Sequence, residues 1–189
     1  MNKPKLGFCV CGSFCTVSKA IDQMKALADT YEIVPIVSEI TAATDTRFGK
    51  CNDILNEIEQ ICGRKIIKTI AEAEPIGPKN MTDIMLIEPC TGNTMAKLAS
   101  GIVDTVVTMA AKSHLRNSRP LVIAPSTNDA LGNAAKNIGT LLNLKNYYFV
   151  PFSQDAPSKK PRSMVADFTK TEQALHSALQ GVQIQPIVF

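Results

Sequence analysis

Apolar and polar positions follow two rhythms along this chain. Short, nearly continuous apolar runs stand at residues 5–11, 32–38, 83–89, 120–126 and 147–152. Between them, apolar residues recur at helical spacing. Val17, Ala20, Ile21, Met24, Leu27 and Ala28 make one stripe, and Ile54, Leu55, Ile58, Ile61 and Cys62 make another that Gly63 stops. Further stripes are Met95, Leu98, Ala99, Ile102 and Val103, then residues 105–116, then Leu131, Ala134, Ala135, Ile138, Leu141 and Leu142, and a last helix at 169–180. Runs with so few polar residues predict strands covered on both faces. Strands alternating with helices predict a single-domain three-layer α/β/α architecture over residues 1–189, with a Rossmann-like, mostly parallel sheet. Pro35 inside the second run places that strand at an edge or an irregularity. The stretch 153–163, "SQDAPSKKPRS", reads as a basic loop.

Composition narrows the function classes. Of 189 residues, 45% are hydrophobic and 20% charged, enough for one domain with a sizeable core. A formal net charge of +3, no Trp and no Lys/Arg run interleaved with aromatics give no footprint for nucleic acid. No apolar run reaches membrane-spanning length, and the start reads as a first strand rather than a signal peptide, so a cytoplasmic protein is expected. Cys9 and Cys11 alternate across a strand, a poor geometry for a zinc pair. The six cysteines read as small buried thiols in a reducing compartment, and no metal site is expected.

In parallel α/β sheets ligands lie beyond the carboxyl ends of the strands, so the turns after the apolar runs carry the information. "GSFCT" at 12–16 offers a glycine, two hydroxyls and a helix start, which suit an anion but fit neither a Walker A loop nor a complete G-x-G-x-x-G. "SEITAATDTRF" at 38–48 is rich in hydroxyls. "PCTGNT" at 89–94 and "PSTND" at 125–129 both place hydroxyls and an amide between a proline and a helix. Asn both donates and accepts, so it can read a heterocycle edge or a carboxylate.

These turns resemble those of the homo-oligomeric flavin-containing cysteine decarboxylase-like flavoproteins. "GSFCT" resembles that family's turn after strand one. "PCTGNT", followed by Lys97 and "GIVD" at 101–104, resembles its Pro-Ala-Ser-Ala-Asn-Thr-like turn, and "PSTN" at 125–128 its Pro-Ala-Met-Asn turn. The resemblance spans roughly residues 5–150. It implies an FMN site in which Gly12, Ser13 and Phe14 hold the phosphate and Ser38 stands near the ribityl chain or phosphate. Thr91, Gly92, Asn93 and Thr94 would contact flavin or substrate, with Ser126, Thr127 and Asn128 on the isoalloxazine and substrate side. It also implies a homo-oligomer. Two departures stand out. Residues 49–88 contain no histidine where the cysteine decarboxylases place one, which argues against aminoenethiol-forming decarboxylation, and Thr127 replaces the methionine of the last motif.

The phrases at 89–132 and 145–168 are similar almost end to end to one branch of that family, whose members are one half of a two-subunit synthase. That similarity implies dehydrogenation of a small cyclic dihydro- or tetrahydropyridine dicarboxylate to pyridine-2,6-dicarboxylate. NADP would be handled by the partner, the A subunit of that synthase, in the mother cell of a sporulating bacterium. A dicarboxylate calls for cations. The candidates are Lys112, Arg116 and Arg119 in "KSHLRNSR", and Lys159, Lys160 and Arg162 in the basic loop, itself expected to be a lid or subunit contact. His114 is expected to be structural, and the catalytic group is not identified. Two other readings stand beside this one: an FMN-dependent cysteine decarboxylase-like enzyme, and a flavin-free scaffold or regulatory subunit.

Overall fold

A computed structural model describes residues 3–189. Its centre is five parallel strands: β1 (Lys5–Val10), β2 (Glu32–Val37), β3 (Ile84–Cys90), β4 (Leu121–Thr127) and β5 (Tyr147–Phe149). They lie side by side as β2-β1-β3-β4-β5. Every residue of β3 is buried, as its nearly continuous apolar run requires for a strand covered on both faces, and the burial includes Glu88. Pro35 sits on the edge strand β2. Its carbonyl accepts from Ile67 N–H on the outer side, so the N–H it lacks faces away from β1 and the ladder loses nothing.

Among the described residues eight helices surround the sheet: α1 (Phe14–Leu27), α2 (Glu39–Ala43), α3 (Cys51–Cys62), α4 (Ile70–Ala73), α5 (Gly92–Ala99), α6 (Val106–Leu115), α7 (Ala134–Leu142) and α8 (Thr171–Leu179). α5 packs on α6 and α7, and α4 on α6, forming one layer. α1 and α8 meet through the 3-10 turn Phe168–Lys170 on the other. α1 buries Val17, Ala20, Ile21, Met24 and Leu27, the face its spacing predicts. α3 ends at Gly63, whose φ of 61° gives the left-handed turn that releases the chain.

Three expectations change. The stripe through Ile102 and Val103 does not continue α5, because Gly101 turns left-handed at φ 68° and leaves Ile102 48% exposed. Leu131 lies in the turn before α7 and is likewise exposed. The run 147–152 splits at Pro151 into β5 and a separate strand, β6 (Phe152–Ser153). β6 pairs antiparallel with β7 (Met164–Ala166), and β7 pairs antiparallel with the end of β4, joining Ser126 to Val165 and Thr127 to Met164. The basic loop is therefore the tip of an arm folded over the carboxyl end of β4. Strand order reverses between β1 and β3, which opens a crevice at their carboxyl ends.

Candidate functional site

The crevice is built from the turn after β1 outward. A Cβ on Gly12 would come within 2.9 Å of Ile40 Cγ2, so glycine lets the turns after β1 and β2 approach this closely without displacing the Ile40 side chain. α1 then begins with no side-chain cap and no acidic residue in its first turn. Among the described residues, nothing bonds the N–H groups of Phe14 and Cys15. A helix start with free N–H groups and a positive dipole end favours an anion. α5 and α6 differ: Thr91 and Thr105 cap them, accepting from Thr94 N and Thr108 N at 3.2 Å each.

Beside α1, three hydroxyls converge. Ser13 Oγ lies 2.8 Å from Ser126 Oγ, and Thr16 Oγ1 lies 3.0 Å from Ser126 Oγ and 3.2 Å from Ser13 Oγ. Thr16 also donates to its own turn at Ser13 O, 2.9 Å away. The turn after β4 is held close to the turn after β3, because a Cβ on Gly92 would meet Thr127 Oγ1 at 2.9 Å. Asn128 is exposed, and its Oδ1 accepts from Ser163 Oγ at 3.2 Å, tying this turn to the arm. Ser38 caps α2 through Thr41, and the neighbouring Glu39 accepts from Val106 N–H at 2.7 Å, fixing that loop to the start of α6.

Two chambers result, sharing Gly12 and Thr91. One, of about 480 Å³, is lined by Ser38, Ile40, Asn93, Thr94, Lys97 and Val107 among others. Lys97 there is paired with Asp104 at 2.7 Å. The other, of about 510 Å³, is lined by Ser13, Thr16, Ser126, Asn128, Lys19 and Lys160 among others. Cys11 lines the first chamber, and burial pushes its thiol up to about 11, against the pull of the Thr94 hydrogen bond, so it is a neutral wall at ordinary pH. In the second, the nearby Ser163 hydroxyl and then Lys160 hold the Asp155 carboxyl below its usual range, so Asp155 stays ionised beside Lys160 at 3.1 Å.

The structure thus gathers Gly12, Ser13, Ser38, Thr91, Gly92, Asn93, Thr94, Ser126, Thr127 and Asn128 around one crevice. Phe14 brings only its backbone; its ring faces a separate small cavity with Phe48 and Ile54. Of the cations read from sequence, only Lys160 lines the crevice, while Lys159 and Arg162 are exposed on the same arm. Lys112 and Arg116 lie elsewhere, which corrects their grouping with a crevice-bound substrate. They line a groove with Tyr147, the partner of Leu121 at the amino end of β4. Five residue steps of about 3.3 Å separate Leu121 from Ser126, so the Tyr147 end of that groove lies about 16 Å from Ser126, while Leu98 and Thr108 at its other end adjoin Lys97 and Val107 of the first chamber. The reason is connectivity, since a helix that feeds a parallel strand ends at that strand's beginning. Arg119 is spent structurally on Thr82 O and on Asp83, 3.5 Å away. His114 is buried between Thr82 Oγ1 at 2.8 Å and Pro120 O at 2.9 Å, and burial lowers its pKa to about 4 despite the bond to Pro120. Sequence reading missed Lys19, although it lies three residues after Thr16, on the same face one helical turn on.

Among the described residues no group of three or more metal-ligating side chains forms a site, and no helix is long and apolar enough to cross a membrane. The comparisons with known proteins agree with this geometry. Residues 1–179 match the family model described as Flavoprotein. The chain belongs to the flavoprotein family. Within the flavoproteins it is 43% identical over 185 residues to the B subunit of dipicolinate synthase from Bacillus subtilis (strain 168), covering 97% of this chain and 92% of that one. Its fold superposes on the crystal structure of the dipicolinate synthase B subunit from Bacillus halodurans with a TM-score of 0.91 at 41% identity, over 100% of this chain and 98% of the other. A more distant flavoprotein, the FMN-dependent cysteine decarboxylase SpaF, shares the fold at TM-score 0.69 and 24% identity, over 93% and 97% of the two chains.

Proposed function

We propose that this chain is the B subunit of a dipicolinate synthase. In this reading it forms pyridine-2,6-dicarboxylate from a dihydrodipicolinate-type precursor, together with an NADP-linked A subunit, during sporulation. The observation that carries the reading is the 43% identity to a dipicolinate synthase B subunit along nearly the whole chain.

The crevice fits an FMN-type group. The uncapped, acid-free start of α1 and the hydroxyls of Ser13, Thr16 and Ser126 suit a phosphate monoester. Asn93 and Asn128, both exposed at the crevice, suit the donors and acceptors of a heterocycle edge. Each chamber falls within the size range of small-molecule sites. A bound flavin, or the partner's nicotinamide, supplies the hydride acceptor, since aromatising the ring removes a hydride and a proton.

This chain's residues bind and orient. Lys19 has no carboxylate partner among the described residues and faces the second chamber, where Lys160 faces it too. Two cations meet the two carboxylates of the substrate, with Asp155 tempering the charge of Lys160. The arm that carries Lys160 covers the end of β4 and shields the reacting ring from water. The test is reconstitution. The purified chain, its partner A subunit, NADP and the cyclic precursor are mixed, and the ultraviolet band of the aromatic product is followed. Product formed only with both subunits present supports the reading. A mixture that never aromatises the ring overturns it, and carbon dioxide released from a cysteinyl compound would point to decarboxylation instead.

A further inference from the structure

The groove at the amino end of β4, on the far side of α5 and α6 residues that line the first chamber, is unused by this reading. Its volume is about 460 Å³. Leu98, Ile102, Val103, Leu115 and Tyr147 form its walls, and Lys112 and Arg116 stand at one side. Its one aliphatic hydroxyl, on Thr108, is already spent on Thr105. Ile102 is drawn out to 48% exposure by the left-handed turn at Gly101, so an apolar side chain lies open where the helical stripe placed it inside.

The charge balance is one-sided. Among the described residues no carboxylate lines the groove, and neither Lys112 nor Arg116 has an acidic partner. Both lie at the end of α6, where the helix dipole presents about half a negative charge. That half charge cannot balance two full cations. The remaining titratable neighbours do not balance them either, since His114 is neutral and Asp83 is engaged by Arg119.

We propose that this groove is a second binding site, for a small aromatic carboxylate whose ring lies against Tyr147 and the aliphatic wall and whose carboxylate meets Arg116 and Lys112. An apolar body is required by the walls and an anionic head by the cations. Guanidinium supplies the paired donors that a carboxylate accepts. The site does not depend on the chemistry proposed for the crevice. The aromatic dicarboxylate formed there is one molecule of this class, and aromatic acids from other sources are the rest.

The test is a titration of the full chain, labelled with ¹³C at isoleucine δ1 methyls, with benzene-1,3-dicarboxylate. Ile102 reports the groove and Ile40 reports the first chamber of the crevice. The expected result is a saturable shift of the Ile102 methyl. The double variant Lys112→Gln, Arg116→Gln weakens the apparent affinity at least about tenfold, the size of losing charge-assisted hydrogen bonds. Lys160→Gln leaves the Ile102 titration unchanged. Both substituted groove residues are exposed, so folding should be intact, and an unchanged spectrum away from the groove checks it. An Ile102 methyl that does not move, or one that titrates identically in the double variant, overturns the proposal. Movement of Ile40 alone assigns the ligand to the crevice and overturns it as well. Repeating the titration with pyridine-2,6-dicarboxylate and with benzoate separates recognition of the reaction product from recognition of aromatic acids at large.

Discussion

Glu88 is the residue whose chemistry stands furthest from its composition. It lies on the central strand β3, wholly buried, and its Oε2 accepts from Thr171 Oγ1 at 2.6 Å. Its Oε1 is the one buried side-chain N or O atom without a partner among the described residues. Burial pushes the carboxyl up to about 8, the bond from Thr171 offsetting part of the rise, so it is neutral in the folded protein at pH 7. In the unfolded chain it ionises near 4.3. Its contribution to stability is full below that value and is lost as pH rises through about 8. His114 acts in the opposite sense. Held neutral down to about 4 against 6.5 when unfolded, it contributes stability that is present above 6.5 and lost as pH falls through about 4. Between about 4.5 and 6.5 the two slopes cancel, each being one proton. Above 6.5 only Glu88 remains, and stability should fall by about 1.4 kcal/mol per pH unit until pH 8. Urea midpoints measured from pH 4 to 9 should show a plateau and then this decline. Glu88→Gln should remove the decline and expose a rise between 4 and 6.5; a variant whose profile follows the wild type would show that Glu88 is ionised in the native state.

At the scale of elements, the crevice depends on how closely the turns after β3 and β4 approach. Gly92→Ala would set a methyl 2.9 Å from Thr127 Oγ1 and push those turns apart. Gly92 is the first residue of α5, where the helical backbone accepts alanine, with a gain smaller than the about 1 kcal/mol of a helix interior. Stability should therefore change by less than about 1 kcal/mol in urea, while FMN affinity, read by equilibrium dialysis, should drop about tenfold or more. Loss of folding with unchanged affinity in the folded fraction would contradict this. These turns were legible in sequence because proline, hydroxyls and an amide stand together where a strand passes into a helix, and few core positions use that combination. Other features were not legible. A stripe through Ile102 has helical spacing whether or not Gly101 turns the chain, and spacing alone does not report φ. β6 and β7 are two and three residues long and flank a proline-rich polar loop, so no period could form. The position of Lys112 and Arg116 could have been read from element order alone, because the last turn of α6 has to deliver the chain to the first residue of β4.

For the whole molecule, a ligand in the crevice joins segments far apart in sequence: the start of α1, the turns after β3 and β4, and the arm. Binding that requires all of them stabilises only the folded state. At 100 times its Kd, FMN should add about 2.7 kcal/mol. For a chain of 189 residues that is a rise in Tm of roughly 5–10 °C in a thermal melt. Riboflavin, which lacks the phosphate that the start of α1 is suited to hold, should give a much smaller rise. Equal shifts from both would move the anchoring away from α1, and no shift from either would favour a subunit that works without flavin. The sheet order was legible in outline, since alternating strands and helices leave few arrangements, but the antiparallel arm on β4 was visible only in three dimensions.

The arm also sets an order of events during synthesis. Gly12, Ser13, the turn at 91–94 and Ser126 all leave the ribosome before Asp155, Lys160 and Val165. The parallel sheet can close from its own strands while the arm is still inside the exit tunnel, because β7 joins only at the last two residues of β4. The nascent chain thus passes through a stage in which the turns of the crevice can stand together while its roof, and α8 on one face of the sheet, are still to come. A ligand meeting the chain at that stage would need no lid to open, and the arrival of the arm, followed by the docking of α8, would close the site around it.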